Sequence, residues 1–404
     1  MRTALEIFFW ACVALIVWTQ IGYALAIGAL TRLLALVPAA SLDRDARTTI
    51  PTNPFVSLIV AAHDEQGVIG AKVRNALALD YPRELLELIV ACDGCSDATA
   101  LRAREAGADV VLELPRGGKV VAQDVAVERA RGEIVAFSDA NALWESGALR
   151  ELVGGFADPR VGYVCGRVRF VQSSDDAGRV PPVAGERQAT NQEGVYWRYE
   201  MAVRACESRL CSVTAGNGAI YATRRESYIV VDPVMGHDLS FPFNMVKHGW
   251  RAVEVPGAGA VEKMVPTIEG EWQRKRRMMS HTWPIVLRGG MLSPRGYTPG
   301  YASMIFSHRV LRYGTPFLHL LALAANVALV AAGTGGGGAP SIYIVTLALQ
   351  IVLLAAAGLG GILPARVLLI ARYYVLTTAS PAAGLWDWLR HGTAASWEVA
   401  EGTR

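Results

Sequence analysis

An apolar segment near the N-terminus, from Ile7 to Thr31, carries no Asp, Glu, Lys or Arg and strongly favours a helix that spans a membrane. A helix needs about 20 apolar residues to cross a bilayer core about 30 Å thick, and this segment is long enough. A cleaved signal peptide is the other interpretation, because Ala24-Leu25-Ala26 resembles a cleavage site. The apolar region of a signal peptide is only about 7–15 residues long. We therefore predict an uncleaved transmembrane anchor in residues 1–37.

A second apolar region extends from Tyr313 to Ala365 and also carries no Asp, Glu, Lys or Arg. It predicts two membrane spans, near residues 315–333 and 341–363, joined by a Gly-rich turn. The stretch that follows, 367–386, is interrupted by an arginine and a proline. It is either a third span or a helix lying in the membrane interface. These segments define a predicted C-terminal membrane region, residues 291–404.

Composition supports a membrane protein with a large soluble part. The chain of 404 residues is 52% hydrophobic and 19% charged, against about 25% charged in an average soluble domain. A net charge of +3 is too small to indicate a nucleic-acid partner. Basic residues follow the first span and precede the second, so the positive-inside rule places residues 32–312 in the cytoplasm. We therefore expect a protein of the inner membrane that crosses the bilayer several times.

The region between the membrane segments, residues 51–290, predicts an α/β domain. Short apolar and β-branched runs alternate with segments of helical periodicity; the strands are 56–62, 86–91, 108–112 and 133–138, and the helices are 67–79, 98–106 and 119–130. Strands that alternate with helices indicate βαβ units and a mainly parallel sheet. Ligands of such sheets bind beyond the carboxyl ends of the strands.

Acidic groups follow three of these strands, in the segments Ala61-Ala62-His63-Asp64-Glu65, Asp93-Gly94-Cys95-Ser96-Asp97 and Ser138-Asp139-Ala140-Asn141. Any one of these acids could simply cap a helix, as Ser96 or Asp97 could for the helix at 98. Three acidic strand ends together favour a site for a cation or for a ligand rich in hydrogen-bond donors. Gly117-Gly118-Lys119 adds flexible backbone and a positive charge suited to phosphate.

Seven motifs occur in an order that resembles one family. They are VSLIVAAHDE, DGCSD, GGK, SDAN, TAGNGAIYATRR, HD and QRKRR, within residues 54–315. In this order they resemble a membrane-anchored family 2 glycosyltransferase of the polysaccharide-synthesising kind. The resemblance implies a GT-A (Rossmann-like) domain flanked by transmembrane helices. It also implies inverting transfer of a sugar from a nucleotide-sugar donor, usually a UDP-sugar, to a saccharide acceptor in cell-envelope or extracellular polysaccharide synthesis.

The resemblance assigns nucleotide-sugar contacts to five residues. Ala61 and Glu65 match positions that contact the nucleoside, Asp93 matches the uracil-binding acid, and Asp97 is the last acid of the same loop. Lys119 would lie near the phosphates or the sugar of the donor.

The metal site would use Asp139 and Asn141, which occupy the two positions of the family's D-x-D motif. The second position is normally a carboxylate. An amide oxygen can still bind Mg²⁺ or Mn²⁺, which prefer oxygen ligands, but it brings one negative charge fewer.

The resemblance assigns the catalytic base to Asp238, within Gly236-His237-Asp238. Inverting transfer needs one carboxylate to take the proton of the attacking hydroxyl. His237 replaces the family's first acid and is either a residue of the sugar cleft or a surface or supporting residue. Asp232 is a weaker candidate base, because Pro233 marks a turn. The resemblance further implies that Gly216 and Asn217 line the cleft for the donor sugar and the acceptor.

Arg276 matches the arginine of the family's Q-x-x-R-W motif, which often binds the diphosphate, while Arg277 replaces the tryptophan. Loss of that tryptophan argues against processive synthesis. The neighbouring cations, Arg274, Lys275 and Arg277, could equally face anionic lipid headgroups.

Three alternatives stay open. Cys92 and Cys95 have the spacing of a zinc or redox pair, although packing cysteines are more common in this context. A catalytically silent membrane scaffold would explain the departures at Asn141, His237 and Arg277. A transferase acting on a polyprenyl-phosphate lipid is the third. Membrane lipids, and partner subunits for polymer export, complete the expected partners.

Overall fold

A computed structural model describes residues 2–36, 53–171, 192–263, 268–333, 341–363 and 365–395. The strands are β1 (Val56–Ala62), β2 (Leu86–Asp93), β3 (Val110–Leu114), β4 (Ile134–Asp139), β5 (Leu143–Trp144), β6 (Val161–Val171), β7 (Ile220–Arg224) and β8 (Arg251–Lys263). The helices are α1 (Arg2–Val17), α2 (Tyr23–Ala35), α3 (Ile69–Leu77), α4 (Thr99–Glu105), α5 (Lys119–Arg129), α6 (Ala148–Gly154), α7 (Gln192–Leu210), α8 (His237–Lys247), α9 (Ile268–Leu287), α10 (Pro299–Met304), α11 (Leu311–Gly333), α12 (Ser341–Leu359) and α13 (Arg366–His391).

The strands form one eight-stranded sheet in the order β3-β2-β1-β4-β7-β6-β8-β5. The first four strands in this order are all parallel, as the alternation of strands and helices predicts. The other half is mixed, because β7 runs antiparallel to both of its neighbours and β5 runs antiparallel to β8. The expectation of a mainly parallel sheet therefore describes the N-terminal half of the domain.

Apolar side chains cover both faces of the sheet. Along β1, Leu58 and Val60 pack on one face, while Ile59 packs on the other with Phe137 of β4. Strand side chains alternate between faces, so a strand buried on both sides needs the continuous apolar run seen here. This burial fixes the strand ends at which the candidate site lies.

Three helices are long and apolar enough to span a membrane: Arg2–Ala35, Pro299–Gly333 and Ile342–Leu359. The first two are continuous, since π-helical turns join α1 to α2 and α10 to α11. The first overlaps the predicted anchor in residues 1–37, the second contains the predicted span 315–333, and the third covers most of the predicted span 341–363.

The stretch 367–386 lies in α13, which is not among the spanning helices found in the described parts of the chain. This helix packs along α9. The indole N–H of Trp283 donates to the carbonyl of Pro381 at 2.8 Å. Gly384 lies so close to α9 that a Cβ added to it would be 2.5 Å from the Cβ of Met279. α13 is therefore held mainly by the domain's last helix.

An apolar cluster joins the candidate spanning helices to the domain. Tyr23 and Ile27 of α2 and Tyr301 of α10 are buried in it, together with Leu239 and Phe243 of α8. Burial of such side chains contributes about 1.5–3 kcal/mol each. The cluster places α8, which carries Asp238, directly against the spanning helices.

Candidate active site

Three predicted acidic segments meet at one edge of the sheet. Strands β2, β1 and β4 are parallel neighbours, with Ala61 paired to Asp139 and Ala62 paired to Cys92, the residue before Asp93. The carboxyl ends of these strands therefore lie side by side, where α/β sheets bind their ligands.

Asp93 holds the Gly-rich loop that precedes α5. Its Oδ1 accepts hydrogen bonds from the N–H groups of Gly117 at 2.6 Å and Gly118 at 3.0 Å, and the guanidinium of Arg116 lies 3.4 Å from Oδ2. Gly94 has a φ of +58° and lies so close to this loop that a Cβ would be 2.8 Å from the Cβ of Arg116. The sequence predicted a contact to the nucleotide base; in the structure these oxygens bind backbone.

Lys119 forms the first turn of α5 and pairs with Asp139 across the strand ends. Burial alone would lower the pKa of Lys119, but the attraction of Asp139 outweighs it and the pKa is raised. Asn141 follows on the same loop and is partly exposed. A carboxylate and an amide oxygen suit Mg²⁺ or Mn²⁺, so Asp139 and Asn141 fit the expected metal.

Asp97 links the loop after β1 to the start of α4. Its Oδ1 accepts from the N–H of Thr99 at 2.9 Å and its Oδ2 from the N–H of Gln66 at 3.1 Å. The N–H of Glu65 donates to Oγ1 of Thr99 at 2.7 Å. The N-cap position of α4 is Ala98, so Asp97 lies just before it, where it accepts from the first helical N–H and also fixes the loop that carries Glu65.

Asp238 lies at the start of α8 and faces the same centre. Its carbonyl accepts a hydrogen bond from the N–H of Gly216 at 2.6 Å. Gly218 lies between these two residues, because a Cβ there would be 3.6 Å from the Lys119 ammonium and 3.8 Å from the Asp238 Cβ. Asp238 is also among the acids whose attraction raises the pKa of Lys119. Asp232, by contrast, is exposed and accepts from the N–H of Val234 within its own turn. The structure therefore brings Asp238 to Lys119.

Gly216 and Asn217 belong to the loop beside Asp238. A Cβ on Gly216 would lie 1.7 Å from the phenolic oxygen of Tyr163, so the requirement for glycine comes first from packing. Asn217 is buried, and its Nδ2 has no hydrogen-bond partner among the described residues. A buried donor without a partner is costly, which is consistent with a ligand-binding role for this amide.

His237 is placed differently from the expectation that it lines the cleft. Its ring is buried, stacks on Phe241 at 4.0 Å between centroids, and its Nδ1 lies 2.8 Å from the hydroxyl of Tyr221. Burial, with a smaller contribution from Lys119, lowers the pKa of His237 to about 3. A neutral imidazole can occupy this aromatic core, whereas the acid expected by the resemblance could not remain charged there.

Arg276 is also placed differently from the expected diphosphate contact. Its guanidinium forms two hydrogen bonds with Asp387 of α13, at 2.6 and 2.7 Å. Fork-like pairing with a carboxylate uses the same donors that would bind a diphosphate. In this structure Arg276 therefore joins α9 to α13, and its contact with a diphosphate stays a prediction.

The cysteines are all free thiols. Hydrogen bonding between Cys92 and Cys95 raises the pKa of the first and lowers the pKa of the second. Donor atoms of Cys95, His63 and Asp64 lie within 4.8 Å of one another.

Two charged residues near Asp139 were missed by sequence reasoning. Lys72 of α3 is fully buried and donates to the carbonyl of Ala142 at 2.7 Å, and burial lowers its pKa to about 7. Glu262 lies near the end of β8, and burial, followed by the repulsion of Asp139, raises its pKa to about 7. No motif marks either position; only the pairing of β5 with β8 brings Glu262 here.

A buried ionic network was missed as well. Glu200 of α7 pairs with Arg309 at 2.9 Å and with Arg312 at 2.6 Å, while His308 lies between Glu200 and Glu207 at 3.1 and 2.7 Å. The positive-inside argument counted these arginines as flanking charges of a span. Arg309 is only 6% exposed, so its charge is used inside the protein.

The same network reaches the loop beside Asp238. Thr214 accepts a hydrogen bond from Arg309 Nε at 2.9 Å, and its N–H donates to Glu207 at 3.1 Å. Glu207 also accepts from the hydroxyl of Tyr23, on the N-terminal spanning helix, at 2.8 Å. The loop that starts at Thr214 is thus anchored to two of the three candidate spanning helices, Pro299–Gly333 and Arg2–Ala35.

Comparison with known proteins identifies the class. The model of the family described as glycosyltransferase like family 2 matches residues 53–280. Since this is more than half of the chain, the protein belongs to that family and is a glycosyltransferase.

The similar proteins agree with this class. The chain is 28% identical over 283 residues to a beta-monoglucosyldiacylglycerol synthase of Synechocystis sp., which covers 67% of this chain and 56% of the relative. It is 36% identical over 118 residues to a synthase of the same name from Trichormus variabilis, covering 28% of this chain and 25% of the relative. The chain spans about half the length, or less, of these curated relatives.

A solved mannosyltransferase from Pyrobaculum calidifontis, in complex with GDP-Man and Mn²⁺, matches with a TM-score of 0.65. The match covers 96% of this chain and 99% of that chain at 21% identity. At this identity the likeness shows the fold, which is GT-A with apolar helices at both ends.

Proposed function

We propose that this protein transfers a sugar, with inversion, from a UDP-sugar to a hydroxyl acceptor at the membrane surface, with Asp238 as the catalytic base. The observation that carries the proposal is the convergence of Asp139, Lys119 and Asp238 around Gly218. A cation-binding acid, a phosphate-binding cation and a carboxylate base are the groups that an inverting transfer requires.

Each group has a distinct part in the reaction. Asp139 and Asn141 would hold the divalent cation, which when bound neutralises charge on the departing nucleoside diphosphate. Lys119 adds a positive charge to the same diphosphate. Asp238 accepts the proton of the acceptor hydroxyl while that oxygen forms its bond to the anomeric carbon, and the bond from this carbon to the diphosphate breaks.

For the acceptor, we favour a lipid-borne hydroxyl over the soluble saccharide implied by the motifs. Leu239, the residue after Asp238, packs in the cluster that contains Tyr23 and Tyr301 of the spanning helices. The Thr214 loop is bonded to the same helices. The two relatives named as glucosyldiacylglycerol synthases also support a lipid acceptor. We further propose an inner-membrane location with the domain in the cytoplasm, where nucleotide-sugars occur.

The test measures donor binding and transfer separately. Full-length protein in nanodiscs is given radiolabelled UDP-sugars and Mn²⁺, with total membrane lipid or with oligosaccharides as acceptors, and the products are sorted by lipid extraction and by size. Asp238→Asn keeps the shape of the side chain but cannot accept the proton, so transfer should fall by about 10²–10⁴-fold. UDP affinity, measured by calorimetry, should change little.

Asp232→Asn is the matched control, because that acid is exposed in a turn six residues earlier in the same chain segment. It should transfer at the wild-type rate. Normal transfer by Asp238→Asn would assign the base elsewhere, and label found only in water-soluble polymer would contradict the lipid acceptor.

A further inference from the structure

The end of β8 reaches the metal-binding edge of the site. In the antiparallel pair of β5 and β8, Leu143 faces Val261 and Trp144 faces Ala260. Continuing this register by one residue sets Glu262 opposite Ala142, next to Asn141. The far end of a long strand thus delivers a second carboxylate to the loop that carries Asp139 and Asn141.

Glu262 is half-buried, and its carboxylate makes no hydrogen bond or ion pair within the part of the chain that the structure describes. Its electrostatic neighbours are Asp139, Lys119, Arg274 and Lys72. Carboxylates are rarely left away from water without a counter-charge.

Each neighbouring cationic side chain already pairs with, or donates to, an acceptor other than Glu262. Lys119 pairs with Asp139, and Arg274 forms two hydrogen bonds with Glu271 at 2.7 and 2.9 Å. Lys72 donates to the carbonyl of Ala142. An additional cation between Asp139 and Glu262 would give Glu262 the counter-charge that it lacks.

We propose that Glu262 supplies a carboxylate oxygen to the divalent cation of the donor site, together with Asp139. The inference rests on the proposed function, since it extends the metal site assigned there. Asn141 brings one negative charge fewer than the acid expected at its position. Glu262 restores that charge from a different strand, and oxygen donors of this kind are those that Mg²⁺ and Mn²⁺ prefer.

The experiment measures Mn²⁺ binding directly, by electron paramagnetic resonance of free Mn²⁺, on full-length protein in nanodiscs with and without UDP. Glu262→Gln should raise the Mn²⁺ dissociation constant at least about tenfold. Glu254→Gln is the matched control, because Glu254 lies on the same strand and pairs with Arg167 at 3.0 Å instead of facing Asp139. It should bind Mn²⁺ with wild-type affinity.

A rescue variant separates metal binding from a structural role. If Glu262 is a ligand, adding Asn141→Asp to Glu262→Gln returns a carboxylate to the site and should recover most of the Mn²⁺ affinity. The same Asn141→Asp change made in the wild type, where the Glu262 carboxylate is present, should then gain less. If Glu262 only balances Lys72, Asn141→Asp raises the Mn²⁺ affinity by the same factor in both backgrounds, and the proposal is overturned. Thermal unfolding shows whether each variant is folded. If Glu262→Gln does not fold, Glu262→Asp is used in its place, and we expect it to bind Mn²⁺ more weakly than the wild type but measurably.

Two further variants distinguish this inference from the proposed function. Asp139→Asn should abolish Mn²⁺ binding; if it does so while Glu262→Gln binds normally, only the role of Glu262 is wrong. If Asp139→Asn binds normally, the donor site itself is wrongly assigned. Asp64→Asn tests the cluster of His63, Asp64 and Cys95, and loss of Mn²⁺ in this variant alone would place the ion there and overturn the inference.

Discussion

Replacing Asp93 by asparagine should separate two roles for this acid, contact with the base of the nucleotide and support of the phosphate loop. The Asp93 carboxylate binds the N–H groups of Gly117 and Gly118 and faces Arg116. Asparagine keeps one acceptor oxygen but turns an NH₂ group toward these donors. At least one hydrogen bond to a charged acceptor is lost, which costs about 1.5–3 kcal/mol.

If that cost falls on the loop that presents Lys119, donor affinity should drop by about 10- to 100-fold, since 1.4 kcal/mol corresponds to a factor of ten. The assay is calorimetric titration with UDP, GDP and inorganic pyrophosphate, each with Mn²⁺. A loop-supporting role predicts a similar loss for all three ligands, because all three carry phosphate.

Asp80→Asn serves as the control, since Asp80 forms an exposed pair with Arg150 and such pairs contribute little. It should bind all three ligands normally. A loss in Asp93→Asn that is confined to UDP would refute the loop argument and restore the base contact implied by the family resemblance.

Three further predictions concern packing and charge. Gly216→Ala should destabilise the protein by about 1–3 kcal/mol through overpacking against Tyr163. Adding Tyr163→Phe to this variant should restore part of the lost melting temperature, and a double variant that melts no higher than Gly216→Ala would contradict the packing argument. Arg309→Met removes one partner of a buried ion pair and should destabilise by about 3–5 kcal/mol, while Arg372→Met, in an exposed pair with Glu269, should change the melting temperature little. His237 has a folded-state pKa of about 3, far below its ordinary value of about 6.5. Between these two values only the unfolded chain binds a proton at this residue, so the unfolding free energy should fall by up to about 1.4 kcal/mol for each pH unit below about 6.5. Melting curves recorded from pH 7.5 to 5 should show a smaller loss of stability for His237→Phe than for the wild type, and equal slopes would contradict the buried neutral state.

Much of the donor side of the site could be predicted from the sequence, for a physical reason. Apart from Ser57 and Glu87, the runs 56–62 and 86–91 are apolar throughout, which fits strands buried on both faces. Once those strands are parallel, the residues that follow them must meet at one edge. The meeting of Asp93, Lys119 and Asp139 follows from these local patterns.

Other parts depend on pairings that no local pattern specifies. Glu262 reaches the site only because β8 pairs with β5, a two-residue strand without a recognisable signal. Arg309 and Glu200 are far apart in the sequence, and each resembles an ordinary charge near a membrane. His237 replaces an acid in a family motif, and its burial follows from the packing of Phe241 and Tyr221.

The position of α8 gives the strongest structural argument for chemistry at the membrane surface. Asp238 and Leu239 are consecutive residues in its first turn, and they face the donor site and the cluster of the spanning helices respectively. The N–H of Gly216 bonds to Asp238, and the loop before Gly216 is bonded to Arg309 through Thr214. Asp238 can move away from the candidate spanning helices only if the first turn of α8 unwinds and the Thr214 loop detaches from Arg309. If Asp238 is the base, as proposed, we expect the acceptor to reach it beside these helices, as a hydroxyl carried by a lipid would.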